Sequence, residues 1–229
     1  MRSLSAIRRS PVESCVEDLK PVWGMEELNR IPLNFGDSKE EFTISKVLGL
    51  ADRSLLSRIG LKGLNAVSWA CEHGVNVPQE IFGWNMTVDG SLVIRLGINE
   101  LFLEGKYVQV VEEAIAHGIS DVECFLVRRE DAGFLLTGCK ALEVLAQTCS
   151  YDFQVADTSL IMTQLAGVSC SILAREVKNA ADVGQVPIYH IWTSASYSRF
   201  MWKELIAIVE DCGGGPVGDE AIGTLFSGR

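Results

Sequence analysis

The sequence lacks the features that mark membrane-spanning, secreted and metal-binding proteins. No stretch approaches the roughly 18 consecutive apolar residues that a transmembrane helix requires, and no apolar run follows the N-terminal arginines as a secretory signal would require. Histidine is scarce, with 3 in 229 residues. Because no histidine lies three or four residues from another histidine or from a cysteine, the sequence predicts no metal site.

Paired cysteine spacings and an excess of positive charge are missing too. The 7 cysteines are odd in number and form no C-x-x-C pair, so we expect small buried thiols in a reducing cytoplasm and no disulfide framework. The formal net charge is −10 and the acidic residues are scattered, which suits neither nucleic acid nor an anionic membrane. An apolar share of 48% with 6 prolines permits a sizeable core.

An internal repeat is the strongest positive feature. Residues 44–66 align with residues 119–141 without a gap, and a match at one fixed offset is typical of duplicated folding units. Both segments lead from an apolar, strand-like run to a glycine and then to a helix with apolar residues on one face. The identical pairs are Ile44 and Ile119, Ser45 and Ser120, Val47 and Val122, Arg53 and Arg128, Leu61 and Leu136, Gly63 and Gly138, and Ala66 and Ala141.

The order of predicted elements indicates an α+β fold. Each copy reads strand, helix, strand, strand, helix, which with a closing strand is the ferredoxin-like split βαβ plan. In the first copy the predicted helix is residues 65–72, and the predicted hairpin surrounds residues 97–99. In the second copy a strand at residues 159–174 is followed by a polar loop at 175–185. We therefore predict a first repeat at residues 44–118, a second repeat at 119–218 and a C-terminal tail at 219–229. Residues 1–43 stand outside the repeat, and their prolines predict an extended arm that wraps the body or a partner.

Four segments together resemble the glycine-cleavage T-protein (aminomethyltransferase) superfamily. The pattern is closest to the gamma subunit of heterotetrameric sarcosine oxidase. The resemblance covers roughly residues 44–218, and the segments occur in the same order and at similar spacing. The resemblance implies a pseudo-duplicated fold with a central opening where some relatives bind tetrahydrofolate. The segments are residues 135–145 (LLTGCKALEVL), 149–153 (CSYDF), 196–202 (SYSRFMW), and Asp89-Gly90 followed by 95–103 (RLGINELFL).

The resemblance also assigns candidate catalytic positions. In T proteins, an aspartate in the loop after the first helix of the first copy supports methyl-carrier chemistry, but here that loop, residues 71–78, contains the neutral Asn76. The corresponding loop of the second copy contains Asp152. A carboxylate there can orient an amine or the folate nitrogens, or it can simply bond nearby backbone amides as loop acids often do.

Two arginines and two aromatic residues are the candidates for cofactor binding. Arg53 and Arg128 occupy equivalent repeat positions, where a guanidinium can hold a folate glutamate tail through two parallel hydrogen bonds or can bridge the two copies. Trp192 and Tyr197 lie near the last strand–helix junction, where aromatic faces can stack on a pterin or can pack in a core or interface.

Three functions remain open. The first is an accessory, gamma-type subunit of a sarcosine oxidase-like, flavin-dependent amine-oxidising complex linked to one-carbon metabolism, with flavoprotein subunits as partners. The second is a stand-alone tetrahydrofolate-dependent aminomethyltransferase or demethylase with Asp152 as the working acid, although T proteins carry further C-terminal domains and this sequence ends at Arg229. The third is a non-catalytic folate-binding or scaffold protein.

Overall fold

The computed structural model describes residues 7–118, 123–153, 159–178 and 185–227. Seven helices, counted over these residues, are α1 (Glu13–Glu17), α2 (Ser38–Val47), α3 (Ala66–Glu72), α4 (Tyr107–Gly118), α5 (Ala141–Thr148), α6 (Ser198–Asp211) and α7 (Asp219–Phe226). The strands in the same residues are β1 (Val22–Glu26), β2 (Asn29–Asn34), β3 (Gly49–Asp52), β4 (Arg58–Lys62), β5 (Trp84–Met86), β6 (Leu92–Gly97), β7 (Glu100–Glu104), β8 (Phe125–Arg128), β9 (Ala132–Thr137), β10 (Leu160–Leu165), β11 (Val168–Lys178), β12 (Gln185–Thr193) and β13 (Gly215–Pro216). None of these helices is long and apolar enough to cross a membrane.

The chain divides into two compact units whose segments alternate along the sequence. The larger unit comprises residues 1–55, 131–157 and 162–229, and the smaller unit comprises 56–130 and 158–161. Mixed helices and sheets in both units confirm the predicted α+β class. The division into repeats at residues 44, 119 and 219 follows the sequence alone and stays a prediction.

The two main sheets arrange their strands in comparable orders. The larger unit has the order β10-β11-β12-β9-β3-β13, and the smaller unit has β5-β6-β7-β4-β8. In each sheet, one buried strand is followed directly by a glycine. On one side it pairs with a strand of a β-hairpin, and on the other side it pairs with a short strand from the other half of the sequence. For β9 these neighbours are β12 and β3, and for β4 they are β7 and β8, all antiparallel.

Gly63 and Gly138 occupy the same step in the two units, directly after β4 and β9. Their φ angles are 128° and 104°, a region that residues with a Cβ rarely adopt. At this step the chain leaves the sheet and begins α3 at Ala66 or α5 at Ala141. The glycine that the sequence identified as a strand break therefore enables the sharp strand-to-helix turn.

Helices cover both faces of the sheet in the larger unit. On one face, α1, α5 and α6 pack around the fully buried Trp202, whose ring lies 5.8 Å from that of Phe134. Residues at positions 201, 202, 205 and 209 of α6 are all buried, as expected for the apolar stripe of a helix that packs on one side. The opposite face packs against α7 through Ala221, Ile222 and Leu225.

In the smaller unit, α3 and α4 pack on one face of the five-stranded sheet. The core joins Ile59 and Leu61 of β4 to Trp69 of α3 and to Val108 and Val111 of α4. Alternation along β4 places Ile59 and Leu61 on this face, and Arg58, Gly60 and Lys62 on the other. The face away from the helices therefore presents the charged residues of β4.

The first 43 residues were predicted to form an extended arm, but the described part contains α1, the β1–β2 hairpin and most of α2. Val12, Cys15 and Val16 are buried in the core around Trp202. Their spacing is that of a helix with one apolar face, a pattern that the prolines obscured. Within the residues described, this segment is thus an integral layer of the larger unit.

Glu41 of α2 connects two parts of that layer. Its buried carboxylate accepts hydrogen bonds from the backbone N–H of Phe35, just after β2, and from the N–H of Gly218 at 2.8 Å. Gly218 is the residue before α7, whose first N–H groups have no partner within their own helix. The Glu41 side chain therefore fixes the start of α7 relative to α2.

We predict that Glu41→Ala lowers the free energy of unfolding by about 1–3 kcal/mol, because the buried amide of Gly218 and the half-buried amide of Phe35 lose their acceptor. Urea denaturation followed by circular dichroism measures the change. Glu40→Ala is the matched control: Glu40 is the exposed neighbour on the same helix, and its loss changes stability by no more than about 0.5 kcal/mol. Equal effects for the two variants would refute this role of Glu41.

Candidate functional site

One face of the six-stranded sheet brings together two of the predicted site residues. Trp192 of β12 lies opposite Gly133 of β9, and the carbonyl of Gly133 accepts a hydrogen bond of 2.8 Å from the N–H of Arg53. Because side chains alternate along a strand, Arg53 and Trp192 point to the same face as Leu135 and Ala51. Gly133 contributes no side chain to this row, so no β9 side chain separates the arginine from the tryptophan.

Arg53 pairs with a carboxylate of its own unit. Its guanidinium forms an ion pair with Asp219, the first residue of α7. An acidic residue in the first turn of a helix is also favoured by the partial positive charge there. A carboxylate ligand at Arg53 would therefore have to share or replace the Asp219 contact.

Two residues beside this row were not predicted from the sequence. His190 shares its face with Trp192, and the two rings stack with centroids 5.6 Å apart and an interplanar angle of 18°. Nε of Arg175 donates a hydrogen bond of 2.9 Å to Nε2 of His190. Accepting at Nε2 requires an unprotonated nitrogen there, so this contact favours the neutral histidine with its proton on Nδ1. The Arg175 guanidinium also lies over the Phe226 ring, 4.9 Å from its centroid.

The Trp192 side chain is only 6% exposed. Burial to this extent and stacking on His190 together leave its ring faces largely covered. Trp192 therefore contributes to the packing of this face as the chain is folded here. The row does not form a ready-made cradle for a pterin.

Asp152 belongs to a loop on the other face of the sheet. The flanking rings of Tyr151 and Phe153 lie 4.8 Å apart, and Phe153 in turn contacts Tyr189 at 5.8 Å. Tyr189 alternates with Trp192 along β12 and packs in the core around Trp202. The aromatic pair thus anchors the loop, and Asp152 between its members is exposed. The structure does not bring Asp152 together with Arg53 and Trp192.

Neither Tyr197 nor Arg128 belongs to this row. Tyr197 ends a short helical turn, Ala195–Tyr197, that leads into α6, and its side chain is 55% exposed. Arg128 lies in the smaller unit, where its largely exposed side chain donates from Nε to Glu112 at 3.1 Å. Each of the two equivalent arginines therefore pairs with an acidic residue of its own unit.

Comparison with solved structures identifies the fold. A glycine cleavage system aminomethyltransferase T from Bartonella henselae matches with a TM-score of 0.76 at 17% identity, over 94% of this chain and 61% of that chain. A chain of the heterotetrameric sarcosine oxidase from Corynebacterium sp. U-96 matches with a TM-score of 0.62 at 17% identity, over 92% of this chain and 98% of that one.

The chain has a T-protein-like fold. At this level of identity the likeness shows the fold alone. The chain spans 61% of the length of the aminomethyltransferase that it matches. No family model matches the sequence, and no curated protein matches it.

In this T-protein-like fold, the loop after α3 holds Asn76 where the sequence resemblance expects a carboxylate. The Asn76 side-chain oxygen accepts a hydrogen bond of 3.2 Å from Nδ2 of Asn85, and its backbone carbonyl accepts one of 3.1 Å from the same nitrogen. Asn85 belongs to β5, so the paired amides fasten the loop to the sheet edge. An amide oxygen accepts hydrogen bonds but does not act as a base near neutral pH.

The seven cysteines all lie in the described residues and are free thiols. The described residues contain no group of three or more His, Cys, Asp or Glu side chains that could hold a metal ion. Burial, with a smaller contribution from the nearby Cys149 thiol, raises the pKa of Cys170 to about 12. Because the thiolate is the reactive form, Cys170 remains an unreactive core residue at neutral pH.

Proposed function

We propose that this chain is an accessory subunit of a sarcosine oxidase-like, flavin-dependent amine-oxidising complex linked to one-carbon metabolism. The observation that carries the proposal is the match to a chain of a heterotetrameric sarcosine oxidase over nearly the full extent of both chains. A T-protein-like fold of this extent therefore works inside a multi-subunit oxidase. We infer flavoprotein subunits as the partners.

The amide at position 76 supports a non-catalytic role. Transfer of a methyl or aminomethyl group from an amine requires a carboxylate that holds the developing charge and moves a proton. Asn76 lacks that capacity, and its side-chain oxygen is already bonded to Asn85. We therefore propose that the isolated chain does not catalyse such a transfer.

A stand-alone tetrahydrofolate-dependent aminomethyltransferase or demethylase is the alternative, with Asp152 as its acid. The observation that favours it is the placement of Asp152, an exposed carboxylate on a loop fixed by Tyr151 and Phe153. Arg128 and Tyr197 are the candidate ligand-binding residues with the most accessible side chains, whereas Arg53 and Trp192 would first have to exchange existing contacts. A folate-binding scaffold is the same proposal without turnover.

We also propose that the two units are diverged copies of one ferredoxin-like unit that have exchanged a strand. The shared strand order, and the equal placement of Gly63 and Gly138, support this proposal. The strand that pairs with β9 or β4 on the side away from the hairpin is β3 or β8, and in each sheet it comes from the other half of the sequence. An experimental structure in which residues 44–66 and 119–141 differ in secondary structure would contradict the duplication.

The function is tested by isolating the tagged chain from its native cells and assaying it alone. We expect a flavin-containing protein to co-purify, recognised by its visible absorbance, and we expect no aminomethyl transfer by the isolated chain. Calorimetry with tetrahydrofolate and 5-formyltetrahydrofolate then compares the native chain with Asp152→Asn. Asp18→Asn serves as the control, because Asp18 is an exposed acid far along the sequence from this loop.

Micromolar folate binding together with transfer that Asp152→Asn abolishes and Asp18→Asn preserves would overturn the accessory role and establish the transferase. Folate binding without turnover and without a co-purifying flavoprotein would establish the scaffold instead. Co-purification of a flavoprotein with no transfer activity supports the accessory subunit, whether or not the chain binds folate.

A further inference from the structure

Strand β8 forms one edge of the five-stranded sheet, with β4 as its neighbour among the described strands. The N–H of Arg129, just after β8, donates to the carbonyl of Arg58 at 3.1 Å. Backbone groups of successive residues in an antiparallel strand point to alternate sides. Phe125 and Val127 therefore direct their backbone groups toward β4, whereas those of Leu126 and Arg128 point away from the sheet.

This edge also exposes apolar side chains. Phe125 is 63% exposed and Val127 is 43% exposed, and both lie on the face away from the helices. Leu126, on the opposite face, packs against the core formed with α3 and α4. Edge strands usually avoid exposed aromatic and branched residues because these invite pairing with another strand.

We propose that β8 pairs antiparallel with β8 of a second copy of this chain, with Leu126 of each copy opposite the other on the two-fold axis. The outward-pointing backbone groups of Leu126 then form hydrogen bonds with those of Leu126 in the second copy. In the same way, the backbone groups of Cys124 pair with those of Arg128. Phe125 of each copy falls opposite Val127 of the other at a non-hydrogen-bonded position, where side chains approach most closely. Aromatic and β-branched residues form favourable cross-strand pairs at such positions.

Charge complementarity selects this register. The same pairing places Glu123 of each copy opposite Arg129 of the other. In the single chain the Arg129 guanidinium lies over the Phe102 ring, 5.3 Å from its centroid, so it must turn toward the edge to form the two oppositely charged pairs that the two-fold axis generates. Moving the axis to Val127 would set Glu123 against Asp131, and like charges directly opposite each other are destabilising. Moving it to Phe125 would set Glu123 against Val127 and remove the charge match. The favoured register therefore satisfies the backbone, apolar and charged groups together.

Light scattering after size-exclusion chromatography, over a range of protein concentrations, tests the pairing. We expect a concentration-dependent dimer and, in hydrogen exchange, protection of the Leu126 and Arg128 amides that grows with dimer population. Phe125→Lys should raise the dimer dissociation constant by about tenfold or more, because two apolar pairs are lost by symmetry. Ile98→Lys, an exposed apolar position on another loop of the same unit, should leave it unchanged.

Charge exchange provides a second, independent arm. Glu123→Arg alone places two arginines opposite each other and should weaken the dimer, whereas Glu123→Arg with Arg129→Glu should restore it. Circular dichroism establishes that each variant is folded. A chain that stays monomeric at every concentration, or a dimer that Phe125→Lys and Glu123→Arg leave unchanged, would overturn the proposal. Pairing of this edge with a different protein would also leave the isolated chain monomeric and count against it.

Discussion

Gly138→Ala will lower the free energy of unfolding by about 3 kcal/mol or more. Gly138 has a φ of 104°, so any Cβ strains the backbone. A Cβ here would also stand 2.4 Å from the carbonyl carbon of Val47 and 2.5 Å from its oxygen. Those backbone atoms do not give way easily, because the N–H groups of Cys139 and Lys140 donate to the carbonyls of Lys46 and Val47 at 3.0 and 2.9 Å.

Gly223→Ala is the matched control for this prediction. Gly223 lies exposed within α7, and a Cβ there meets nothing within 4 Å. Alanine in a helix interior is favoured over glycine by about 0.8–1.0 kcal/mol, so this variant should be unchanged or more stable. Urea denaturation of both variants decides the matter. A loss below about 1 kcal/mol for Gly138→Ala would mean that the strand–helix step tolerates a side chain.

The local steps of the fold were predictable from the sequence because they depend on neighbouring residues. Residues 65–72 were predicted as a helix and form α3 at Ala66–Glu72. The hairpin predicted around Gly97 is the β6–β7 pair. The resemblance to the T-protein group is confirmed at the level of the fold.

Other elements were misjudged where the usual local indicators were absent. Residues 159–174 were predicted as one strand, but β10 and β11 meet at a turn formed by Ala166 and Gly167, with φ angles of 49° and 79°. Such turns usually contain Asn or Asp with Gly, so the alanine at position 166 did not indicate a turn. Strand β11 also continues to Lys178 through a stretch that was predicted to be a polar loop, because tertiary pairing with β12 outweighs local polarity.

The candidate site depends on pairings between distant segments, which composition and spacing do not specify. Arg53 and Trp192 share a face only because β3 and β12 both pair with β9. The sequence does contain an indication of His190, because alternate residues of a strand share a face and Trp192 follows two positions later. The ion pair of Arg53 with Asp219 was not predictable, because residues 219–229 were predicted to be a tail and Asp219 instead begins α7.

A second large effect is expected at the ion pair of Arg58 and Glu104. Arg58 on β4 lies opposite Glu104 on β7. Nε of Arg58 and Oε2 of Glu104 are 2.5 Å apart, and the two side chains are only 1% and 5% exposed. Arg58→Met should lower the free energy of unfolding by about 3–5 kcal/mol, because it leaves a buried carboxylate without its counter-charge. Lys62→Met is the control, since Lys62 pairs with Glu100 across the same two strands but is solvent-exposed. Loss of such a surface pair should cost no more than about 1 kcal/mol.

The double variant Arg58→Met with Glu104→Leu separates the value of the pair from the penalty of breaking it. Burying two charges is costly, and the attraction between them mainly offsets that cost. The double variant should therefore be clearly more stable than Arg58→Met alone. A double-mutant cycle measured by urea denaturation gives the coupling between the two residues. If the two single losses simply add, Arg58 and Glu104 do not stabilise each other, and the arginine acts through its additional contact with the Leu56 carbonyl.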